Sequence, residues 1–289
     1  MAKAAEINKP LKTITSVNGR IVRRGQDKIS VFDNSLLYAE GLFETFLAKD
    51  DHAIFAEEHL RRLYRGAKVI NLDIPAKKEA LRKWMKSALR AHPDEVKKLR
   101  LTVTSGESAR WVGLPGKPQV VLIVSPHELP EEPFKLHVSE FRVDQKSVFR
   151  IIKTLSYAIH AAALKQAKAV GCDDALLLNE SHQVAEVTSA NIYWVKKGHV
   201  FTPPIGSGCL EGVTRKIVLR ESKRLGFDVT EKNGTLNTLL NADEVFISSS
   251  LKLVVGVGSI KIRRETHRIS TGPVTEAFSH HFRRMTGFE

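Results

Sequence analysis

The sequence predicts a two-domain protein of the α/β (α+β) class, with a small N-terminal α/β domain and a larger β-rich domain with flanking helices. In the first part of the chain, short β-prone runs alternate with two amphipathic helical patterns, whereas later on apolar runs of strand length dominate. Between the two parts, the acidic, proline-rich stretch HELPEEP shows no periodicity, which is typical of a linker. We therefore expect domains at residues 1–126 and 134–289, joined by a linker at residues 127–133.

Composition leaves one broad alternative open. The chain has 289 residues, which is enough for two domains with their own cores. Its 45 Lys and Arg outnumber 32 acidic residues, so the formal charge is +13 and a basic nucleic-acid-binding protein is one alternative. The basic residues are interspersed with acidic ones and the sequence carries no RNA-recognition or zinc-finger motif, which makes that alternative remote.

The cysteines and the N-terminus bear on the cellular compartment. The sequence has two cysteines, Cys172 and Cys209, and its first residues lack the apolar core of a signal peptide. No run reaches the roughly 18 apolar residues of a membrane span. We expect a cytoplasmic protein with reduced thiols and with neither a membrane nor a nucleic acid as partner.

The first domain is predicted to begin with a hairpin, because Asn18-Gly19 between two β-prone runs favours a tight turn. Its other predicted elements are a strand at 42–48, a helix from about Glu57, a helix from Ala76 to about Ala91 with Trp84 in its buried stripe, and paired strands at 98–106 and 118–126.

The second domain is predicted to contain a short apolar strand that ends at Lys153, followed by a helix that buries Ala158, Ala162 and Leu164. The residues from 174 to 203 are predicted to form successive antiparallel strands. The other predicted elements are a strand at 134–143, a helix from about Val213 to Gly226, a strand from about Glu244, and a final helix from Pro273.

Four features of the second domain suggest chemistry. Lys153 follows an apolar run, where its amine could form a Schiff base, although a lone lysine of this kind is more often an edge residue that reaches water. Glu186 lies inside an apolar strand, where an unpaired carboxylate is costly and therefore calls for a cationic partner. Val213 and Thr214 begin a helix, whose unpaired amides favour an anion. The serine corner at 248–250 offers further hydroxyl groups.

Taken together and in order, the segments GLFET, EHLRRL, IKTLSY, QVAEVTSANIYWV, LEGVTR and ISSSL resemble the class IV aminotransferases over roughly residues 15 to 265. The resemblance implies a fold-type IV enzyme that uses pyridoxal 5′-phosphate and moves an amino group between an amino acid or amine and a 2-oxo acid. It implies that Lys153 forms the Schiff base with the cofactor and is the catalytic residue. It also implies a homodimer with the active site at the subunit interface.

The same resemblance implies a set of cofactor-binding residues. Glu186 would contact the ring nitrogen, and Asn191 would support the cofactor. The phosphate would be bound by four residues, Arg62, Val213, Thr214 and Ser250. A planar guanidinium such as that of Arg62 suits two phosphate oxygens at once.

Substrate choice is less determined by the motifs. Phe43 and Arg110 are the candidate substrate-binding residues, with Arg110 in the position of a carboxylate-binding arginine in similar D-amino-acid aminotransferases; an ordinary surface arginine is the alternative. Those enzymes have a tyrosine at the position of Phe43 and a histidine at that of Val112, so we expect weak activity on D-amino acids. The family also includes aminodeoxychorismate lyase, which releases pyruvate and 4-aminobenzoate and remains an alternative.

Overall fold

The structure is a computed structural model that describes residues 12–108, 114 and 116–289. The chain divides into two compact units, Met1–Glu128 and Leu129–Glu289. The exact linker at residues 127–133 stays a prediction. Arg110, Trp111 and Val112 lie outside the described residues. Within the described ranges, no helix is both long enough and apolar enough to cross a lipid bilayer.

The first unit contains an antiparallel sheet with the strand order β2-β1-β6-β5-β3-β4. Its strands are β1 (Ile14–Val17), β2 (Arg20–Val22), β3 (Gly41–Lys49), β4 (His52–Ala53), β5 (Val96–Thr104) and β6 (Val120–Pro126). Its helices are α1 (Asn34–Tyr38), α2 (Ala56–Val69) and α3 (Lys78–Arg90). The predicted pairing of β5 with β6 is confirmed.

The predicted β1–β2 hairpin is also confirmed. Asn18 and Gly19 have φ angles of 49° and 82°, the left-handed values that a two-residue hairpin turn requires. A side chain at Gly19 would not fit, because its Cβ would lie 2.3 Å from Nε1 of Trp84. Trp84 is half-buried and packs against this turn, so it is less enclosed than the sequence predicts.

Strand β3 presents two different faces. Glu44 and Phe46 face α2, because Glu44 is bonded to His59 and the Phe46 ring lies 4.6 Å from the His59 ring. Side chains alternate along a strand, so Phe43 and Thr45 lie on the opposite face. The first face carries a buried ionic cluster, whereas the second carries the predicted substrate residue Phe43.

The second unit contains a larger sheet with the strand order β12-β11-β10-β13-β14-β7-β8-β9, and β15 pairs with β14. Its strands are β7 (Phe134–Val143), β8 (Asp174–Asn179), β9 (Val184–Val187), β10 (Asn191–Lys196), β11 (His199–Thr202), β12 (Val229–Glu231), β13 (Glu244–Ser249), β14 (Leu253–Ile262) and β15 (Glu265–Arg268). Its helices are α4 (Ala158–Ala169), α5 (Val213–Glu221), α6 (Leu236–Leu240) and α7 (Pro273–Thr286), with 3-10 turns at Val148–Ile151, Ile205–Ser207 and Ser222–Leu225.

Two apolar clusters contribute to the core in the described part of this unit. The larger one joins residues of β7, β8, β9, β10, β13 and β14, among them Leu136, Ile192 and Val245. The smaller one lies where α4 packs on β7 and β8, and it includes Ala163 and Leu177. Both cysteines are buried free thiols, and burial raises the pKa of Cys209 to about 11.

Two predictions for this unit are wrong, and a third holds only in part. The segment before Lys153 is the 3-10 turn Val148–Ile151 and not a strand. Helix α4 begins at Ala158 and buries His160, Ala163 and Ala167, whereas Ala158 is exposed and Leu164 is only half-buried. The predicted antiparallel pairing of successive strands is confirmed for β8 with β9 and for β10 with β11, but β9 and β10 form no ladder, and β10 pairs with β13 instead.

Candidate active site

Glu186 is the most strongly connected of the predicted site residues. It lies on β9 and is buried, with its side chain held by three partners. Its Oε1 accepts from Nη2 of Arg150 and lies 3.1 Å from Nε2 of His160, and its Oε2 accepts from the backbone N–H of Leu210 at 2.8 Å. Burial by itself would raise the pKa of Glu186, but the hydrogen bond from His160 and the charge of Arg150 lower it below its usual value.

Lys153 follows the 3-10 turn and is half-buried. Its Nζ lies 5.7 Å from the centre of the Tyr157 ring. The other contacts of Tyr157 fix that ring, since its hydroxyl donates to the carbonyl of Thr188 and the ring stacks on His160 at 4.5 Å. Tyr157 therefore lies next to both the predicted catalytic amine and a partner of Glu186.

Leu210 connects Glu186 with Asn191. Its N–H binds Glu186, and its carbonyl accepts from Nδ2 of Asn191 at 2.8 Å. Two residues later, a Cβ at Gly212 would lie 2.1 Å from Oδ1 of Asn191, so a side chain at this position would displace the Asn191 amide. The loop leads directly into α5, and its position is therefore tied to both predicted cofactor-binding residues.

Helix α5 begins at Val213, as predicted, after Gly212, which provides no side-chain cap. The first amides of a helix have no intrahelical partner and lie at the positive end of its dipole. Thr214 is buried, and its hydroxyl has no hydrogen-bond partner in the described part of the chain. An unsatisfied buried hydroxyl is costly and suggests that a ligand completes it.

The serine corner lies at the same end of the sheet as Asn191. Strands β10 and β13 are antiparallel with Asn191 opposite Ser248, so the start of β10 lies beside the end of β13. Ser250 follows β13 in a turn, and the hydroxyl of Ser249 is buried without a partner among the described residues. Ser249 is therefore a second candidate hydroxyl that the sequence analysis did not select.

A half-buried lysine connects this corner with the turn before Asn191. Lys252 Nζ donates to the hydroxyl of Ser189 at 2.6 Å and lies 3.6 Å from Asp174. Asp174 in turn accepts from the backbone N–H of Thr188 at 3.1 Å. Burial lowers the pKa of Lys252, although the charge of Asp174 opposes this effect. These bonds connect the turn before Asn191 with the turn after Ser248.

Arg62 belongs to the first unit, where it forms a buried ionic cluster with Glu44 and His59. Its Nε and Nη2 donate to the two oxygens of Glu44 at 2.8 and 2.6 Å, and His59 Nδ1 lies 2.7 Å from the same carboxylate. Burial would raise the pKa of Glu44, but Arg62 and His59 lower it to about 2. The bidentate pair fixes the plane of the Arg62 guanidinium.

Phe43 lies on the other face of β3 and is 4 % exposed. The guanidinium of Arg100, on the neighbouring strand β5, lies 3.9 Å from the centre of its ring, and Nε of Arg100 donates to Thr102 at 3.3 Å. Arg100 is a positive group beside the predicted substrate residue that the sequence analysis did not select. Arg110, the predicted carboxylate ligand, lies outside the described residues.

The structure brings Glu186, Asn191 and the start of α5 together through Leu210, and it adds Arg150, His160 and Tyr157 to the predicted set. Arg150 and His160 stand three residues before and seven after Lys153 in the sequence. Their position close to Lys153 was the sequence signal that could have identified these two residues. Their shared partner Glu186 is 36 residues from Arg150, which local patterns do not reveal.

Comparison with known proteins gives a consistent result. A family model described as amino-transferase class IV matches residues 41–260. A protein of Methanocaldococcus jannaschii that is assigned by its name to the branched-chain-amino-acid aminotransferases is 34% identical over 274 residues, which cover 92% of this chain and 94% of that protein. A D-alanine aminotransferase of Bacillus licheniformis is 30% identical over 246 residues, or 84% and 87% of the two chains. An aminodeoxychorismate lyase is also among the relatives.

The fold is likewise shared with solved structures. The branched-chain aminotransferase of the archaeon Thermoproteus uzoniensis, solved with norvaline, superposes with a TM-score of 0.87 at 28% identity. The match covers 96% of this chain and 95% of that one, so both units have counterparts there. A second branched-chain amino acid aminotransferase, solved in complex with N-(5′-phosphopyridoxyl)-L-glutamate, has the same TM-score of 0.87 at 27% identity, over 97% of this chain and 96% of the other.

Proposed function

The chain belongs to the class IV aminotransferase family, and from this premise we propose that it is a pyridoxal 5′-phosphate enzyme acting on L-amino acids with apolar side chains. The acceptor in this proposal is a 2-oxo acid. The identity of the M. jannaschii relative supports a branched-chain substrate. The phosphopyridoxyl-glutamate ligand in the second solved structure supports glutamate as the other amino acid.

The observation that carries the proposal is the connection of Glu186 and Asn191 to the start of α5 through Leu210. A buried carboxylate suits a protonated ring nitrogen, and a helix start suits a phosphate. The unpartnered hydroxyl of Thr214 suits a phosphate oxygen as well. The residues present therefore fit a cofactor that carries both groups.

Each residue has a separate task in this proposal. When bound, the cofactor supplies an electron sink that stabilises negative charge on the substrate α-carbon. Glu186 keeps the ring nitrogen protonated, and Lys153 Nζ takes up the proton of the α-carbon and returns it during the exchange. Asn191 fixes the loop that precedes α5.

The phosphate is assigned to a second group of residues. The amides of Val213 and Thr214 and the hydroxyls of Thr214 and Ser250 would bind it, and Arg62 would add a positive charge. Glu44 supports the role of Arg62 because it holds the guanidinium in one orientation.

The substrate side chain is assigned to the Phe43 face of β3. The buried ring of Phe43 provides an apolar wall, and the cation of Arg100 beside it suits a carboxylate. One face would thus accept an apolar amino acid in one half of the reaction and glutamate in the other. Arg110 remains a candidate ligand for the α-carboxylate.

The proposed assembly is a homodimer. Apolar side chains of residues 31–38 are strongly exposed in the described first unit, with Val31 at 65%, Phe32 at 64% and Leu36 at 65%. A surface patch of this kind suits a protein interface. A symmetric dimer would cover the same patch on both subunits.

A half-reaction panel tests the substrate proposal. The purified protein, loaded with pyridoxal 5′-phosphate, is mixed with L-leucine, L-glutamate, D-alanine, an aromatic (R)-amine or aminodeoxychorismate, and the cofactor spectrum is followed. The proposal predicts rapid conversion by L-leucine and L-glutamate. Release of pyruvate and 4-aminobenzoate from aminodeoxychorismate with no response to either L-amino acid would instead establish the lyase.

A further inference from the structure

We propose that Arg150 and His160 are positioning residues that hold the Glu186 carboxylate ionised and fixed in direction, so that it keeps the ring nitrogen of the bound cofactor protonated. This inference rests on the proposed function, in which Glu186 is the partner of that nitrogen. Neither Arg150 nor His160 touches the substrate in this account, and both act through Glu186.

The partners of Glu186 are divided between its two oxygens. Oε1 is shared by Arg150 and His160, whereas Oε2 accepts from the N–H of Leu210. A carboxylate oxygen accepts about two hydrogen bonds, so Oε1 is filled by its two partners. Among the described residues, Oε2 retains capacity for one more donor, which is what a protonated ring nitrogen requires.

The charges at this place also favour an ionised carboxylate. Glu186 is 5 % exposed, and burial disfavours its charged form. The cation of Arg150 and the hydrogen bond from His160 reverse that effect and lower the pKa of Glu186. A neutral carboxylic acid here would leave the ring nitrogen without its counter-charge, so ionisation of Glu186 and protonation of the ring are linked.

His160 is oriented by its neighbours. Its ring stacks on Tyr157 with centres 4.5 Å apart, and Nε2 lies 3.1 Å from Glu186 Oε1 and 3.4 Å from Nη1 of Arg150. Arg150 carries only hydrogen-bond donors, so a protonated Nε2 of His160 cannot form a hydrogen bond with it and donates to Glu186 instead. The shorter distance favours this arrangement. The Nδ1 atom of His160 is buried without a partner in the described chain, which suits the unprotonated nitrogen of that tautomer.

Arg150 connects Glu186 to the phosphate side of the site. Its Nε donates to the carbonyl of Gly208 at 2.6 Å, while Nη2 binds Glu186. Gly208 has a φ of 91°, and a Cβ there would lie 3.0 Å from Cα of Gln145, so the backbone of this loop is closely held. Arg150 therefore fixes the carboxylate relative to the loop that continues through Leu210 to α5.

The experiment separates an effect through Glu186 from a general structural effect. Arg150→Met and His160→Leu remove the two partners, and His160→Gln retains a donor. Glu186→Gln serves as the reference, and Arg142→Met is a matched control at an arginine bonded to the carbonyls of Ser139 and Phe141. Each holoprotein carries cofactor labelled with nitrogen-15 in the ring, whose NMR shift reports ring protonation directly. Half-reaction rates and cofactor affinity are measured in parallel.

The proposal predicts that Arg150→Met and His160→Leu shift the ring-nitrogen signal towards the unprotonated form and slow the half-reaction by roughly ten- to a hundred-fold, the worth of a hydrogen bond to a charged group. His160→Gln should keep most of the wild-type rate, because it retains a donor to Glu186. Arg142→Met should have the ring-nitrogen signal and the half-reaction rate of the wild type. In the Glu186→Gln background, adding Arg150→Met should change the rate by no more than about twofold, since both act through one group.

Different outcomes overturn different claims. If Glu186→Gln changes the ring-nitrogen signal but Arg150→Met and His160→Leu do not, this inference is wrong and the proposed function stands. If Glu186→Gln leaves the signal unchanged, the assigned role of Glu186 is wrong and the inference fails with it. If Arg150→Met does not fold, His160→Leu and His160→Gln are compared instead. The inference is then wrong if His160→Leu leaves the ring-nitrogen signal unchanged.

Discussion

Glu186 accepts a hydrogen bond of 2.8 Å from the backbone N–H of Leu210, a residue that stands three positions before helix α5. The carbonyl of Leu210 is bound by Asn191 at the same distance. Any shift of β9 or β10 would therefore move the start of the helix. The ring-binding and phosphate-binding parts of the proposed site are thus positioned by one backbone unit.

Thr214→Val tests the proposed phosphate site. The change removes a buried hydroxyl that has no partner in the described chain, so the free energy of unfolding without cofactor should stay the same or rise slightly. Cofactor affinity should fall by roughly ten- to a hundred-fold, since a hydrogen bond to a charged phosphate is lost. Urea unfolding of the apoprotein and equilibrium dialysis with pyridoxal 5′-phosphate measure the two quantities.

Thr202→Val is the matched control, because the buried hydroxyl of Thr202 donates to the carbonyl of Ile192 at 2.9 Å. It should lower the free energy of unfolding by about 1 kcal/mol and leave cofactor affinity unchanged. Equal affinity losses in both variants would show that Thr214 has no specific role.

Glu44→Gln tests the buried cluster of the first unit. The pKa of Glu44 is lowered from 4.5 to about 2, so its ionisation contributes stability that is fully present above 4.5 and is lost as the pH falls towards 2. At neutral pH the variant should be less stable by roughly 3–5 kcal/mol, because the buried guanidinium of Arg62 then loses a carboxylate counter-charge. The difference in unfolding free energy between wild type and variant should become smaller as the pH falls from 4.5 to about 2.

Urea unfolding at a series of pH values measures that difference. Glu79→Gln, at an exposed position on α3, is the control and should follow the wild-type pH dependence. A constant gap between Glu44→Gln and wild type down to the lowest pH would contradict the assigned linkage.

The choice between D- and L-amino acids is tested at Phe43. The wild-type protein should convert D-alanine weakly, because the side chains of Phe43 and Val112 are apolar and provide no hydrogen bond to a carboxylate. Phe43→Tyr combined with Val112→His should raise D-alanine turnover, with each added contact worth roughly ten- to a hundred-fold. Arg110→Ala should weaken every carboxylate substrate. Strong D-alanine turnover by the unmodified protein would refute this interpretation.

The dimer is tested at the exposed patch of residues 31–38. Leu36→Asp should convert the sedimenting dimer to a monomer and reduce activity, because a charge cannot be buried in an apolar interface without cost. Ile21→Asp, at another exposed apolar position, should keep the dimer. Sedimentation velocity at micromolar concentration distinguishes the two states. A fully active wild-type monomer would contradict the proposed assembly.

Local signals in the sequence predicted the elements that depend on neighbouring residues. Asn18-Gly19 determined a hairpin because its backbone needs left-handed φ values, and the glycine before Val213 marked the start of α5. The alternation in β5 likewise predicted a strand with one buried face. In each case the physical cause lies within a few residues of the element.

The errors arose where distant contacts decide. The alanine-rich sequence of α4 gives little contrast between its faces, and the buried face is set partly by the bond from His160 to Glu186. Strand β10 pairs with β13, with Asn191 opposite Ser248, and the order of the strands along the chain did not reveal this long-range pairing. Arg150 was missed because the apolar run before Lys153 predicted a strand, whereas a 3-10 turn brings Arg150 to Glu186.

The site residues also divide into features that local sequence reveals and contacts that only the fold reveals. Their types were visible in the sequence, since a carboxylate in an apolar strand requires a partner. The identities of the partners, Arg150, His160 and Leu210, required the fold. Arg62 is a similar case, because the segment EHLRRL pointed to it, whereas its partner Glu44 on β3, which His59 shares, was not evident.

In the proposed function, Lys153 provides the amine that binds the cofactor. The protein loaded with pyridoxal 5′-phosphate is reduced with borohydride, which makes the link to that amine permanent, and its peptides are mapped by mass spectrometry. We expect one phosphopyridoxyl group on Lys153; Lys153→Ala should lack both this group and measurable turnover, whereas Lys165→Ala, at an exposed position on α4, should retain both. A stoichiometric adduct on another lysine, such as Lys252, or undiminished turnover of Lys153→Ala, would contradict the account.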